Sequence, residues 1–113
     1  MTHIQNATIT SATIEIEDHG FLSSFLHLDY GGSGQGFGGY ALDSYDIEKK
    51  QRVGSDTCGI WIRKVLETVG VDNWHKLQGQ NIRVEQDRPF GKILRIGHIV
   101  EDKWFDPVEE FKD

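Results

Sequence analysis

Arg63, Arg83, Arg88, Lys92 and Arg95 crowd the basic middle of this chain, in company with Trp74, Phe90 and Asn81. Arginine's planar fork can grip a phosphate through two parallel hydrogen bonds, and an aromatic ring offers a stacking face worth about 1–3 kcal/mol per base. Asn81 can read the amide-like edge of a base. In the alternating run NIRVEQD, Arg83 and Glu85 share one strand face, while Arg95 falls on the next strand of the same hairpin. Arg88 and Phe90 then stand at the hairpin's RPFG tip. The candidate binding set for a small anion that carries a ring is therefore Arg63, Trp74, Asn81, Arg83, Arg88, Phe90 and Arg95. The plainer alternative is that the strand arginines are solvated and Trp74 belongs to the core.

Other chemistries have less support. Gly34, Gly36 and Gly39 spell the letters of a dinucleotide fingerprint, but that motif works only where a strand feeds it and a helix opens from it. The YALDSYD that follows has no helical period, and Asp43 and Asp46 would repel a pyrophosphate. Cys58 sits near an expected helix N-terminus, which favours a thiolate, yet no histidine is placed beside it and a buried structural cysteine fits better. His3, His19, His27, His75 and His98 lack any metal-ligand spacing, so no metal and no cofactor is expected. Asp29 and Asp43 flank the glycine stretch as a conceivable acid–base pair, although solvated strand ends explain them equally. No catalytic residue is assigned, and the chain reads as a binder rather than an enzyme.

The distribution of charge points the same way. From Met1 to Glu48 there is no Lys or Arg, whereas Lys49 to Arg95 carries ten of them against five acids, and the remainder is acidic again. A basic middle between acidic ends suits a small anion in a pocket. The formal net charge of -6 argues against long nucleic acid. No apolar run could span a bilayer and the N-terminus lacks the marks of a signal peptide, so a cytoplasmic protein without a membrane partner is expected. One cysteine agrees with a reducing compartment. The 113 residues suffice for a single domain (1–113), and their 37% apolar content gives a thin, ring-rich core that suits a homo-oligomer.

The elements that must position these residues read as α+β, with antiparallel β-hairpins in the N-terminal half, one main helix at about 55–69, a second β-hairpin and a short C-terminal helical turn. ATITSATIEIED is β-branched and alternating, with one parity change that predicts a bulge near Ser11. Asp18-His19-Gly20 turns it back into Phe21 to Tyr30, where Leu22, Leu26, Leu28 and Tyr30 share a face opposite Phe25, His27 and Asp29. GQGFGGYAL predicts a third strand with Phe37 and Tyr40 on opposite faces, its glycines leaving room for a close neighbour. SYDIEKKQRVG is a loop or exposed hairpin. Ser55 or Asp56 caps the helix, Ile62, Val65, Leu66 and Val69 form its stripe, and Gly70 ends it. Asp72 is expected to cap a short turn at DNWHKL, and Asp106 another at DPVEEF.

The strings IEIEDHG, LHLDYGGSGQGFGGYALD, IRKVLETVGVDNWHKLQGQNIRV and GHIVEDKWFDP, from about Ile14 to Pro107, resemble the phage-encoded Thoeris anti-defence sponge family. That resemblance implies a multimeric, non-enzymatic protein of the infected bacterial cell that sequesters cyclic ADP-ribose-type signals made by TIR enzymes. Some members also take up the cyclic oligonucleotides of the CBASS system. Pockets between subunits, built from arginines and an aromatic, would hold the nucleotide. The alternative is a protein-directed inhibitor of another defence complex, of anti-CRISPR type, whose acidic N-terminal face mimics nucleic acid.

Overall fold

The computed structural model describes residues 2–112 as an α+β protein: a six-stranded antiparallel sheet, a separate hairpin, one main helix and a short C-terminal helical turn. β1 (His3–Ile16) is its spine, because the run of isoleucines and threonines favours extended backbone. It pairs with β2 (Leu22–Tyr30) over its second half and with β6 (Asn81–Gln86) over its first. The register slips between Ile9 and Ser11, so Thr10 is the extra residue of a bulge. That bulge is why Ile9 and Ala12 both face the core in spite of their odd spacing. The N-terminal residues from His3 onward extend the strand beyond the sequence-based expectation.

The order of strands is β3-β2-β1-β6-β7-β8, with β3 at Ser33–Gly38, β7 at Ile93–Gly97 and β8 at Trp104–Phe105; β4 (Asp43–Asp46) and β5 (Gln51–Gly54) make the separate hairpin. One face of the sheet is apolar and packs on α1 (Asp56–Val69). Ile9, Leu26, Ile82, Val84 and Ile96 of that face are buried together with Trp61 and Val65 of the helix. Rings fill the space that a thin aliphatic core leaves. Trp61 lies 5.8 Å from Phe37 and 5.3 Å from Phe105, centroid to centroid. Each such pair contributes about 0.5–1.5 kcal/mol beyond the area it buries.

The sheet curls hard around this core. Gln35 of β3 donates to Tyr30 Oη at 2.9 Å and to the Gly91 carbonyl at 3.0 Å, and its Oε1 accepts from Ile93 N at 2.7 Å. An edge strand thus touches the start of β7 on the far side of the sheet. Buried Gln86 donates to the same Gly91 carbonyl at 2.8 Å, so these interior amides are satisfied.

The glycine stretch is a packing strand. A methyl group on Gly36 would sit 3.2 Å from the Phe25 ring, and one on Gly39 2.6 Å from it. On Gly38 it would collide with the Ser24 carbonyl. Gly38 and Gly39 both take positive φ, 124° and 84°, which turns the chain out of the strand. Tyr40 therefore comes back to Trp61, 6.0 Å away, rather than taking the face opposite Phe37. The helix ends as expected, on Gly70 in the left-handed region at φ 91°. Its Ser55 holds the cap position but spends its hydroxyl on the Leu42 carbonyl at 2.9 Å. Asn73, not Asp72, caps the 3₁₀ turn Trp74–Lys76, because Asp72 is engaged by Lys76 at 2.9 Å. Asp106 caps α2 (Pro107–Glu110), accepting from Glu109 N at 3.2 Å. No helix among the described residues is long and apolar enough to cross a membrane.

Candidate functional site

Alternation along β6 sends Ile82, Val84 and Gln86 inward and leaves Asn81, Arg83 and Glu85 on the uncovered face of the sheet. On β7 a register shift opposite Glu85 and Gln86 does for Leu94 what the Thr10 bulge does on β1. Ile93 and Ile96 are buried, while Arg95 faces outward directly across from Glu85. Trp104 of β8 pairs with Gly97 of β7. A methyl group at Gly97 would lie 2.5–2.7 Å from three atoms of the indole, so the ring lies flat on a backbone that only glycine leaves bare.

Two guanidinium groups flank this indole. Arg95 Cζ is 4.3 Å and Arg83 Cζ 4.8 Å from the ring centroid, within the range of cation–π attraction. Arg83 is committed to the chain between β7 and β8: its Nε donates to the His98 carbonyl at 2.7 Å and one Nη to the Glu101 carbonyl at 2.8 Å. His98 Nδ1 accepts from the amides of Val100 and Glu101 at 3.1 and 3.0 Å and folds the same loop from within. Arg95 instead donates through Nε to Glu85 Oε1 at 2.6 Å. That hydrogen bond, assisted by one from Thr2, holds the Glu85 carboxyl below the usual carboxylate range against the opposing effect of burial. Trp104 Nε1 donates to Asp102 at 3.0 Å, which fixes the ring's orientation.

Trp104 also lines two clefts. One, of about 560 Å³, is walled by Lys64, Glu67, Asp102 and Lys103; the other, of about 400 Å³, joins Arg95 to Asp106, Glu109 and Glu110. The first cleft balances two lysines with two carboxylates, whereas the second sets three carboxylates around Arg95 and opposes an anion. Asn81 belongs to the same uncovered sheet face, where its Oδ1 accepts from Thr8 at 2.9 Å beside a third cleft that Asp29 and Tyr30 also line. Cations, an indole and amide groups make recognition chemistry. Among the described residues no cluster of three or more His, Cys, Asp or Glu could hold a metal ion.

Of the seven candidate residues, the structure thus brings Arg83 and Arg95 to one ring and sets Asn81 on the same face. The others are elsewhere. Arg63 extends from α1 to Glu67 at 2.9 Å with its side chain 80% exposed. Trp74 is half-buried against the core. Arg88 and Phe90 stand at the tip of the β6–β7 turn, Arg88 against Asp87 at 3.3 Å and Phe90 exposed with a φ of 62°. Asp43 pairs with Arg52 at 2.8 Å, while Asp29 lies exposed opposite Gly34, so the conceivable acid–base pair is not assembled. Trp104 escaped the sequence reading altogether. The signal that could have found it is Gly97, a glycine inside a strand that marks the close approach of something large. Compared with protein-family models, with curated proteins and with solved structures, the chain matches none.

Proposed function

We propose that this protein is a non-catalytic sponge that binds and sequesters a small cyclic nucleotide signal, of cyclic ADP-ribose type or a cyclic oligonucleotide, inside an infected bacterial cell. The observation that carries the reading is the pair of arginines on Trp104, which brings guanidinium groups and an aromatic ring together on the uncovered face of the sheet. Neighbouring Asn81 adds an amide for a base edge. A sponge must bind near the working concentration of its signal, so nanomolar affinity, about -12 kcal/mol, is expected. The open clefts around Trp104 fit that affinity best when a second subunit closes them and excludes water. A homo-oligomer is therefore part of the proposal.

Incubating the protein with cyclic ADP-ribose-type and cyclic di- and trinucleotide signals, removing free ligand and then heating to unfold the protein tests this directly. Intact signal should return to solution. A chemically altered product would replace the sponge by an enzyme. Arg95→Gln should lose about 1.5–3 kcal/mol of binding, the usual worth of a hydrogen bond to a charged group. A second reading draws on the exposed carboxylates Glu15, Asp18, Asp29 and Glu48 in a half without a single Lys or Arg. They suit a nucleic-acid mimic that blocks a defence complex. No uptake of any cyclic nucleotide would favour that inhibitor.

A further inference from the structure

Arg83 and Arg95 stand over the same indole, but their hydrogen-bond partners differ in kind. Arg83 is held by two main-chain carbonyls, of His98 and Glu101, which cannot leave without undoing the loop that carries Trp104. Arg95 is held by a side-chain carboxylate, Glu85, which needs only a rotamer change to let go. The Glu85 side chain is 13% exposed and that of Arg95 35%, so the pair is shielded more than a surface ion pair yet still within reach of solutes.

We propose that Glu85 is a built-in competitor for the anion site: it occupies the Arg95 fork in the free protein, and a ligand must displace it to bind. This deepens the sponge reading and rests on it for the nucleotide, though not for the anion. The competition also selects a chemical class. Exchanging one carboxylate for another on the same fork gains nothing, and Asp106, Glu109 and Glu110 in the adjoining cleft penalise any newcomer of negative charge. A ligand wins only by presenting more acceptor oxygens to the fork than a carboxylate does, as a phosphate or pyrophosphate can, against a repulsion from those three carboxylates that grows with its own charge. Arg83 remains fixed and keeps the ring in place during the exchange. Glu85 thereby sets specificity for phosphorylated ligands over carboxylates.

The test is calorimetric titration of the full chain with inorganic pyrophosphate and, separately, with acetate. Replacing the competitor in Glu85→Gln should tighten pyrophosphate about tenfold or more, since a charge-assisted hydrogen bond no longer has to be broken. Glu85→Asp, whose shorter arm cannot hold the same contact, should give a smaller gain and guards against a folding defect in the first variant. Arg95→Gln should abolish binding. Acetate should bind poorly to the wild type. Unchanged or weaker pyrophosphate binding in both Glu85 variants overturns the proposal, as does silence toward pyrophosphate in every protein. A gain for pyrophosphate together with no uptake of cyclic nucleotides would keep the competitor and remove the sponge.

Discussion

At Gly97 the absence of one methyl group decides where an indole lies. Restoring it in Gly97→Ala puts a carbon 2.5 Å from the ring, so either Trp104 tilts off β7 or the β7–β8 pair separates. Overpacking of this kind costs about 1–3 kcal/mol. The expected outcome is a lower melting temperature, a changed Trp104 emission, judged against Trp104→Phe, and weakened binding of any ligand that uses the ring. Unaltered melting and emission would show that the ring is held by Asp102 and the arginines without need of the bare backbone. Arg83 was legible in the sequence because strand alternation puts it on one face with Glu85, and Arg95 because the hairpin returns beside them; that Arg95 shares the face depends on the register shift at Leu94. Their partner was not, since HIVEDK has no Asn-Gly or Gly-Gly turn signature. The loop is closed by the Arg83 guanidinium and by His98 Nδ1, side chains whose reach depends on the folded register.

At the scale of elements, the glycines of β3 are not equivalent. Gly36 has no positive φ and its neighbour is the movable ring of Phe25, so Gly36→Val asks a half-buried side chain to shift by a fraction of an ångström. Gly38 sits at φ 124° with the Ser24 carbonyl and the Trp61 ring against it. A branched side chain there meets backbone on one side and the centre of the core on the other. Gly38→Val should lower the thermal midpoint well beyond Gly36→Val, by an overpacking cost of about 1–3 kcal/mol plus strain of similar size. Equal midpoints in the two variants would mean that β3 is looser than its contacts imply. The elements most readily legible were those with local causes: the β1 bulge from its parity change, α1 from its stripe and Gly70, α2 from Asp106-Pro107. The elements missed depend on distant partners. Nothing local says that Gln35 will reach Gly91 and Ile93, nor that two residues, Trp104 and Phe105, will join the sheet.

At the scale of the whole molecule, part of β1 leaves an open side away from the Trp104 clefts, and a contact between copies can be tried there. β6 covers β1 only from His3 to Thr8, with Ile9 served by Gly79 and Gln80, so the side of Ser11–Ile16 that faces away from β2 has no strand partner among the described residues. Ile14 and Ile16 on this segment are 41% and 65% exposed. An extended edge with alternating apolar residues is a template for another strand, and natural proteins that stay monomeric usually blunt such an edge with a lysine. The charges on and just beyond this segment, Glu15, Glu17 and Asp18, are carboxylates, and two copies meeting antiparallel about Thr13 would set Glu15 of each opposite Ser11 of the other, apart from its twin. Sedimentation of the wild type at micromolar concentration should therefore show a species well above the 12.9 kDa chain mass. Ile16→Lys should reduce that mass while leaving the melting temperature of the protomer nearly unchanged, because substitutions at exposed positions cost within about 0.5 kcal/mol. If the mass stays high in Ile16→Lys, the copies meet through another surface. A sharp monomer in the wild type would remove the oligomer and, with it, the closed pocket that nanomolar sequestration requires.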